Sequence, residues 1–398
     1  MSLFDKLQNI TTARQMFADK GITSNVVMEK VISSTEAIIN GRRMILAGTN
    51  NYMGLTFDPD CIEAASEATR KLGTGTTGSR MANGNYSGHV ELERELADFY
   101  GCLYGVVFST GYIANLGMLS SLTGPSDVLL IDADSHASIY DGCRLSGAEI
   151  IRFRHSDPVD LEKRLKRLGD RAANTLIVVE GIYSMLGDRS PLVDIAAVKE
   201  KYGAFLLVDE AHSLGVLGKN GRGRAEEADV EDSVDFIVGT FSKSLGAIGG
   251  FCVSNHPELE LMRFASRPFM FTASSSPSVI ASTRAALKIL RTRPELRSRL
   301  WDNAHKLYSQ LQDLGFQLGP EPSPVVAVRV SSIEQAVALW KGLLEYGVYV
   351  NLVTPPATPD GGCLLRCSVS AGHTPKQIDK ICGAFESQRE PLIAVQRA

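Results

Sequence analysis

Seven short apolar runs recur between about residues 100 and 255, and they constrain the fold more than any other feature of the chain. They read "GVVFS", "DVLLIDA", "EIIRFR", "NTLIVVEG", "AFLLVDEA", "DFIVGTFS" and "GGFCVS". Helical patterns such as "DPVDLEKRLKRLG" and "PLVDIAAVKEKYG" lie between them. Strand and helix in alternation predict a mostly parallel sheet wrapped by helices. The runs are apolar almost throughout, as they must be when both faces of a sheet are covered. The expected class is therefore α/β, with a mostly parallel seven-stranded sheet.

The flanks differ in character. Residues 1 to about 45 read as a helix, a turn at Gly21 and a short strand pair ending in "GRRMILAG". A long helical stretch, "SPSVIASTRAALKILRTRPELRSRLWDNAHKLYSQLQDLG", leads to a tail read as strand, helix, strand, strand, helix. Three parts are expected: an N-terminal segment over 1–45, a large domain over 46–285 and a small α+β domain over 286–398.

Composition excludes several functions. Of 398 residues 44% are hydrophobic, enough for a large buried core, and the net charge of −4 comes without a basic block for nucleic acid. No apolar run approaches a membrane span of about 18 residues, and the charged N-terminus is not a secretion signal. The seven cysteines form no C-x-x-C pair, so neither a zinc site nor a disulfide framework is expected. A reducing, cytoplasmic compartment fits.

Parallel sheets bind ligands at the carboxyl ends of their strands. The residues that follow the runs are Thr110-Gly111-Tyr112, then Asp134-Ser135-His136, Tyr183-Ser184, Asp209-Glu210-Ala211-His212, and Thr240 with Ser242 and Lys243. One rim thus gathers an acid, two histidines, several hydroxyls and a lysine. A Walker phosphate loop needs Gly-Lys-Ser/Thr, but here Ser242 precedes Lys243. "GTGTTG", Gly73 to Gly78, matches G-x-G-x-x-G, yet it follows a helical run rather than a strand.

The chemistry that uses this set is that of pyridoxal 5′-phosphate. A lysine amine forms a Schiff base with the aldehyde, and a carboxylate keeps the pyridine nitrogen protonated so the ring can accept electrons. Lys243 and Asp209 suit these parts. His212 would reach the phenolic oxygen and His136 would stack on the ring. Thr240, Ser242 and the Gly111 and Tyr112 amides would hold the phosphate. Arg366 interrupts the apolar "CLLRCSVS" and calls for an anion. That anion is either a structural carboxylate or the α-carboxylate of an amino acid.

Nine segments together resemble one family. They are "NNYMGL", "GTGTTGSRMANG", "FSTGYIANLG", "DADSHASIYDG", "EGIYSMLGD", "LVDEAHSLGVLGKNGRG", "GTFSKSLGAIGGF", "FMFTASSS" and "LLRCSVSAGHTP". The set is similar to the α-oxoamine synthases, fold-type I pyridoxal phosphate enzymes that condense an amino acid with an acyl-CoA and release CO2. The resemblance runs from about residue 5 to residue 388. It implies Lys243 as the cofactor-bonded lysine, Asp209 at the pyridine nitrogen, His136 as the stacking ring, His212 at the phenolic oxygen and Ser184 near the ring. It also implies a homodimer, with Thr272 reaching the partner's cofactor phosphate and Asn51 and Tyr52 near a shared mouth.

"VVMEKVISSTEAIINGRR", "NYMGLTFDPD", "AEIIRFRHSDPVDLEKRL" and "PPATP" are most similar to the bacterial branch that uses L-serine and palmitoyl-CoA. That branch makes 3-ketosphinganine, the first step of sphingolipid synthesis. Its lipid-like donor implies transient contact with a membrane surface. Two positions depart from the pattern: Thr354 stands where some members have an arginine before "PPATP", and Ala82 where leucine is common. Glycine or alanine with another acyl thioester, or aminotransfer, are the competing readings.

Overall fold

All seven runs form strands of one sheet in the computed structural model, which describes residues 2–19, 26–355, 357–358 and 361–389. Three strands precede it: β1 (Lys30–Ser33), β2 (Glu36–Ile39) and β3 (Arg42–Leu46). The sheet itself comprises β4 (Tyr104–Phe108), β5 (Val128–Asp132), β6 (Glu149–Phe153), β7 (Thr175–Glu180), β8 (Phe205–Asp209), β9 (Phe236–Thr240) and β10 (Gly250–Ser254). Its order is β4-β10-β9-β8-β7-β5-β6. Only β10 runs antiparallel to its neighbours, so the sheet is mostly parallel as expected.

Strand periodicity explains the unbroken hydrophobicity of the runs. Leu129, Ile131, Val178 and Leu207 pack into one core layer. Their immediate neighbours Leu130, Ile177, Val179, Leu206 and Val208 pack into the layer on the opposite face. The helices Gly111–Leu122 and Pro158–Leu168 begin on side-chain caps, with Thr110 Oγ1 accepting from Ile113 N and Asp157 Oδ1 from Asp160 N.

The chain turns one way from β5 to β6 and the other way from β7 to β8. The carboxyl ends of β5 and β7 therefore flank a crevice at the point where the strand order reverses. The candidate site is built there.

The tail contributes β11 (Gln317–Leu318), β12 (Val325–Val330), β13 (Val348–Tyr349), β14 (Asn351–Val353) and β15 (Cys363–Ser368). "VYVNLV", read as one strand, serves two sheets. Val348–Tyr349 pairs in parallel with β3, whereas Asn351–Val353 pairs antiparallel with β15. The N-terminal segment holds three strands rather than a pair, and β13 completes their sheet. Gly21, the expected turn, lies outside the described residues.

His373 ties the same two regions together. Its Nδ1 accepts from Ser370 N at 2.9 Å and its Nε2 faces the Leu46 carbonyl at 3.2 Å, an arrangement that suits the neutral ring. The long helical stretch breaks at Pro294 into Pro277–Thr292 and Glu295–Asp313, because proline disfavours the helical conformation in the residue before it. The expected boundary at 285 falls inside the first of these helices, which packs on Pro59–Leu72.

Candidate active site

A cavity of about 290 Å³ opens at the crevice. Lys243, Asp209, His136, His212, Thr240, Ser242, Gly111 and Tyr112 all line it. The parallel strands explain the convergence. Five carboxyl ends lie side by side, and the residues that follow each strand share one rim.

Asp209 ends β8 and is buried. Its Oδ2 accepts from Asn115 Nδ2 at 2.7 Å and its Oδ1 from Ala211 N at 2.9 Å. Among the described residues no cation pairs with it. A buried carboxylate held only by neutral donors leaves a site for one more charged donor.

Lys243 shares the cavity. Withdrawal from solvent lowers its pKa, Asp209 and Glu180 oppose that, and Arg366 adds to it, leaving a value of about 8. Burial also lowers the pKa of His136, whose Nδ1 lies 2.8 Å from Ser138 Oγ. Tyr112 meets the His136 ring edge-on at 6.4 Å.

His212 is more strongly held neutral. Burial drives its pKa well below the usual value, and Lys243 and Arg366 reinforce the effect. Its Nδ1 lies 2.7 Å from the hydroxyl of the fully buried Tyr52.

The phosphate end is shaped by glycine. A Cβ on Gly111 would sit 2.7 Å from Thr240 Cβ, and one on Gly250 would sit 2.6 Å from Gly111 N. Without those atoms the first turn of Gly111–Leu122 lies directly against Thr240. Thr240 Oγ1 and Ser242 Oγ are 2.9 Å apart. Backbone N–H groups at a helix start together with two hydroxyls are suited to a phosphate.

Arg366, on β15, is 6% exposed. Its Nε donates to the Ser184 carbonyl at 2.5 Å, and its Nη1 to Asn50 Oδ1 and Ser368 Oγ, both at 3.1 Å. Among the described residues no carboxylate pairs with it. Ser184 meets Arg366 through its carbonyl and does not line the cavity. Nor does Asn51, whose Nδ2 donates to Thr56 Oγ1. Thr272 lies elsewhere, beside Arg80, His89 and Phe269. The "GTGTTG" loop follows the helix Pro59–Leu72, and Thr76 Oγ1 is 2.7 Å from Ser274 Oγ, close in sequence to Thr272.

Two residues of the rim escaped the sequence reading. Glu180 ends β7 in register with Asp209 and accepts from His136 N at 2.5 Å. Burial raises its pKa well above the carboxylate range, and the Asp209 charge adds to that. Two buried carboxyls this close disfavour each other's ionisation. The signal was an acid ending an apolar strand, the same pattern that pointed to Asp209. Asn115 is the other, a polar residue inside the apolar helix run "GYIANLGML".

The fold and this rim define a fold-type I pyridoxal phosphate transferase. The family model for aminotransferase class I and II matches residues 42–385. A serine palmitoyltransferase of Caulobacter vibrioides is 59% identical, over 97% of this chain and 96% of that protein. One of Sphingomonas paucimobilis is 52% identical, over 97% of this chain and 92% of that protein. A solved serine palmitoyltransferase with pyridoxal phosphate as its internal aldimine is 52% identical and superimposes with a TM-score of 0.96, covering 98% of this chain and 99% of that one. The chain belongs to the aminotransferase class I and II family and, within it, to the α-oxoamine synthases.

Proposed function

We propose that this chain condenses L-serine with palmitoyl-CoA, releasing CO2 and CoA and forming 3-ketosphinganine, with pyridoxal 5′-phosphate as cofactor. The carrying observation is a single cavity that holds a lysine of lowered pKa together with a buried carboxylate that has no cationic partner among the described residues. Relatives named serine palmitoyltransferase, at 59% and 52% identity over 97% of the chain, support the choice of substrates.

The residues present fit the cofactor. Asp209 has room in its charge balance for a pyridinium N–H. Thr240, Ser242 and the amides of Gly111 and Tyr112 would hold the phosphate, and His136 would form one wall beside the ring. When bound, pyridoxal phosphate supplies an aldehyde for amines and a ring that accepts the electron pair left at the amino acid Cα.

The chain's own part is positioning and proton handling. At a pKa of about 8, about one Lys243 amine in ten is unprotonated at pH 7, against fewer than about one in a thousand for an ordinary lysine. That fraction serves first as a nucleophile and then as the base that takes the Cα proton. Asp209 would keep a proton on the ring nitrogen of the bound cofactor. Neutral His212, with Nδ1 engaged by Tyr52, would offer Nε2 to its phenolic oxygen. Among the described residues Arg366 has only neutral partners, which leaves its guanidinium available for the amino acid carboxylate. His136 orients that carboxylate and the thioester oxygen.

Thr272 lies outside the cavity of its own chain, as a residue serving a partner's cofactor would. We therefore assign a homodimer with shared sites. All seven cysteines are free, in keeping with a cytoplasmic enzyme. Among the described residues no helix is long and apolar enough to cross a membrane.

CoA release tests the substrates. With palmitoyl-CoA, L-serine should support turnover at least about tenfold better in kcat/KM than glycine or L-alanine. Equal or better turnover with glycine or alanine would keep the family and discard serine.

A further inference from the structure

His155, which the chemistry above does not use, bridges two carboxylates beside the cavity. It follows β6, with Nδ1 2.8 Å from Asp132 Oδ1 and Nε2 2.8 Å from Asp188 Oδ2. Ionised carboxylates only accept hydrogen bonds, so both contacts are satisfied only when both ring nitrogens carry hydrogen. Asp134 Oδ2 lies a further 3.9 Å from Nδ1, and the Tyr183 ring meets the imidazole edge-on at 4.5 Å. Burial alone would lower the pKa of His155, but the hydrogen bonds to Asp132 and Asp188 outweigh it and push the value up to about 10.

The two acids belong to different elements. Asp132 ends β5 and is fully buried. Its Oδ2 accepts from Ser156 N at 2.8 Å, and Ser156 has a φ of 50°, a left-handed conformation that costs a non-glycine residue energy. Asp188 closes the turn after β7. Its carbonyl accepts from Tyr183 N at 2.9 Å, and Ile182 bridges to Arg189. The other oxygen of Asp188, Oδ1, is buried without a partner among the described residues. Between the two ends of this turn lies Ser184, whose carbonyl holds Arg366 Nε.

We propose that His155 is a positioning residue for amino acid binding: as an imidazolium it clamps the 181–190 turn to the end of β5, and the turn sets Arg366 through the Ser184 carbonyl. This rests on the reading of Arg366 as the carboxylate fork. The clamp draws together two acids that would repel one another across a neutral ring. Loosening it frees the turn and misplaces the guanidinium without touching Lys243 or Asp209.

The test reads serine affinity from the change in cofactor absorbance when the holoenzyme is titrated with L-serine. The KM for palmitoyl-CoA comes from CoA release. His155→Gln should weaken serine binding about tenfold, the size of one charge-assisted hydrogen bond, with the resting cofactor band and the palmitoyl-CoA KM within about twofold of wild type. Asp188→Ala, which cuts only the turn side of the clamp, should do the same. Asp188→Asn restores an acceptor and should recover most of the loss. In an Arg366→Ala background, His155→Gln should add less than about twofold.

Thermal melting verifies that each variant is folded, and the Asp188 pair carries the test if His155→Gln does not fold. Serine affinity within about twofold of wild type in the folded clamp variants, or a loss that multiplies with that of Arg366→Ala, would overturn the inference. Weakening in Arg366→Ala with none in the clamp variants leaves the carboxylate reading standing. Unaltered serine binding in Arg366→Ala overturns both.

Discussion

Lys243→Ala is expected to abolish the cofactor's visible absorbance band and to lower turnover on the order of a thousandfold or more. On the proposed mechanism two roles vanish together, because the same amine is assigned both the cofactor bond and the Cα proton. Neither has an understudy. Among the described residues that line the cavity, the other basic groups are His136 and His212, whose pKa values burial lowers. A folded Lys243→Ala protein that turned over normally without added amines would remove Lys243 from the chemistry.

Asp209→Asn should be nearly as damaging while leaving the fold intact. The side chain keeps its shape, but the charge that retains a proton on the ring nitrogen is gone. An amide must also satisfy Asn115 Nδ2 and Ala211 N with a single oxygen. A loss of about 10²–10⁴-fold in kcat is expected, with cofactor still bound through Lys243. Steady-state CoA release and the absorbance spectrum read the two effects separately. A loss smaller than about tenfold would show that Asp209 does not hold the ring proton.

Much of this was legible from the residues alone, and the reasons are physical. Strands buried on both faces need unbroken apolar runs, so the inner strands announced themselves. The edge strand β6 exposes Glu149, Ile150 and Arg152 and was legible from its place in the alternation. A rim of strand ends is also a sequence pattern, which is why Lys243, Asp209, His136 and His212 could be named before their distances were known. The less legible features depend on partners distant in the chain. "VYVNLV" looks like one strand because nothing local records that Val348 pairs with Ile45 while Asn351 pairs with Arg366.

The same holds within the site. Arg366 declared its need for an anion, but only its contacts with neutral groups exclude a structural carboxylate among the described residues. Glu180 carries the same local mark as Asp209, an acid ending an apolar strand, but that it shares the rim with Asp209 shows only in the register of β7 with β8. The branch assignment came from whole-chain similarity rather than from any single contact. Thr354 and Ala82 depart from the family pattern, and nothing in the structure explains either.

The central claim is that Lys243 is the covalent anchor of the cofactor, and borohydride reduction of the purified protein tests it most directly. Reduction fixes the carbon–nitrogen bond, and peptide mapping by mass spectrometry then locates the pyridoxyl group. The account predicts it on Lys243, in the peptide containing "TFSKSLG". A pyridoxyl group on another lysine, or on none after incubation with pyridoxal phosphate, would contradict the account from the cavity outward.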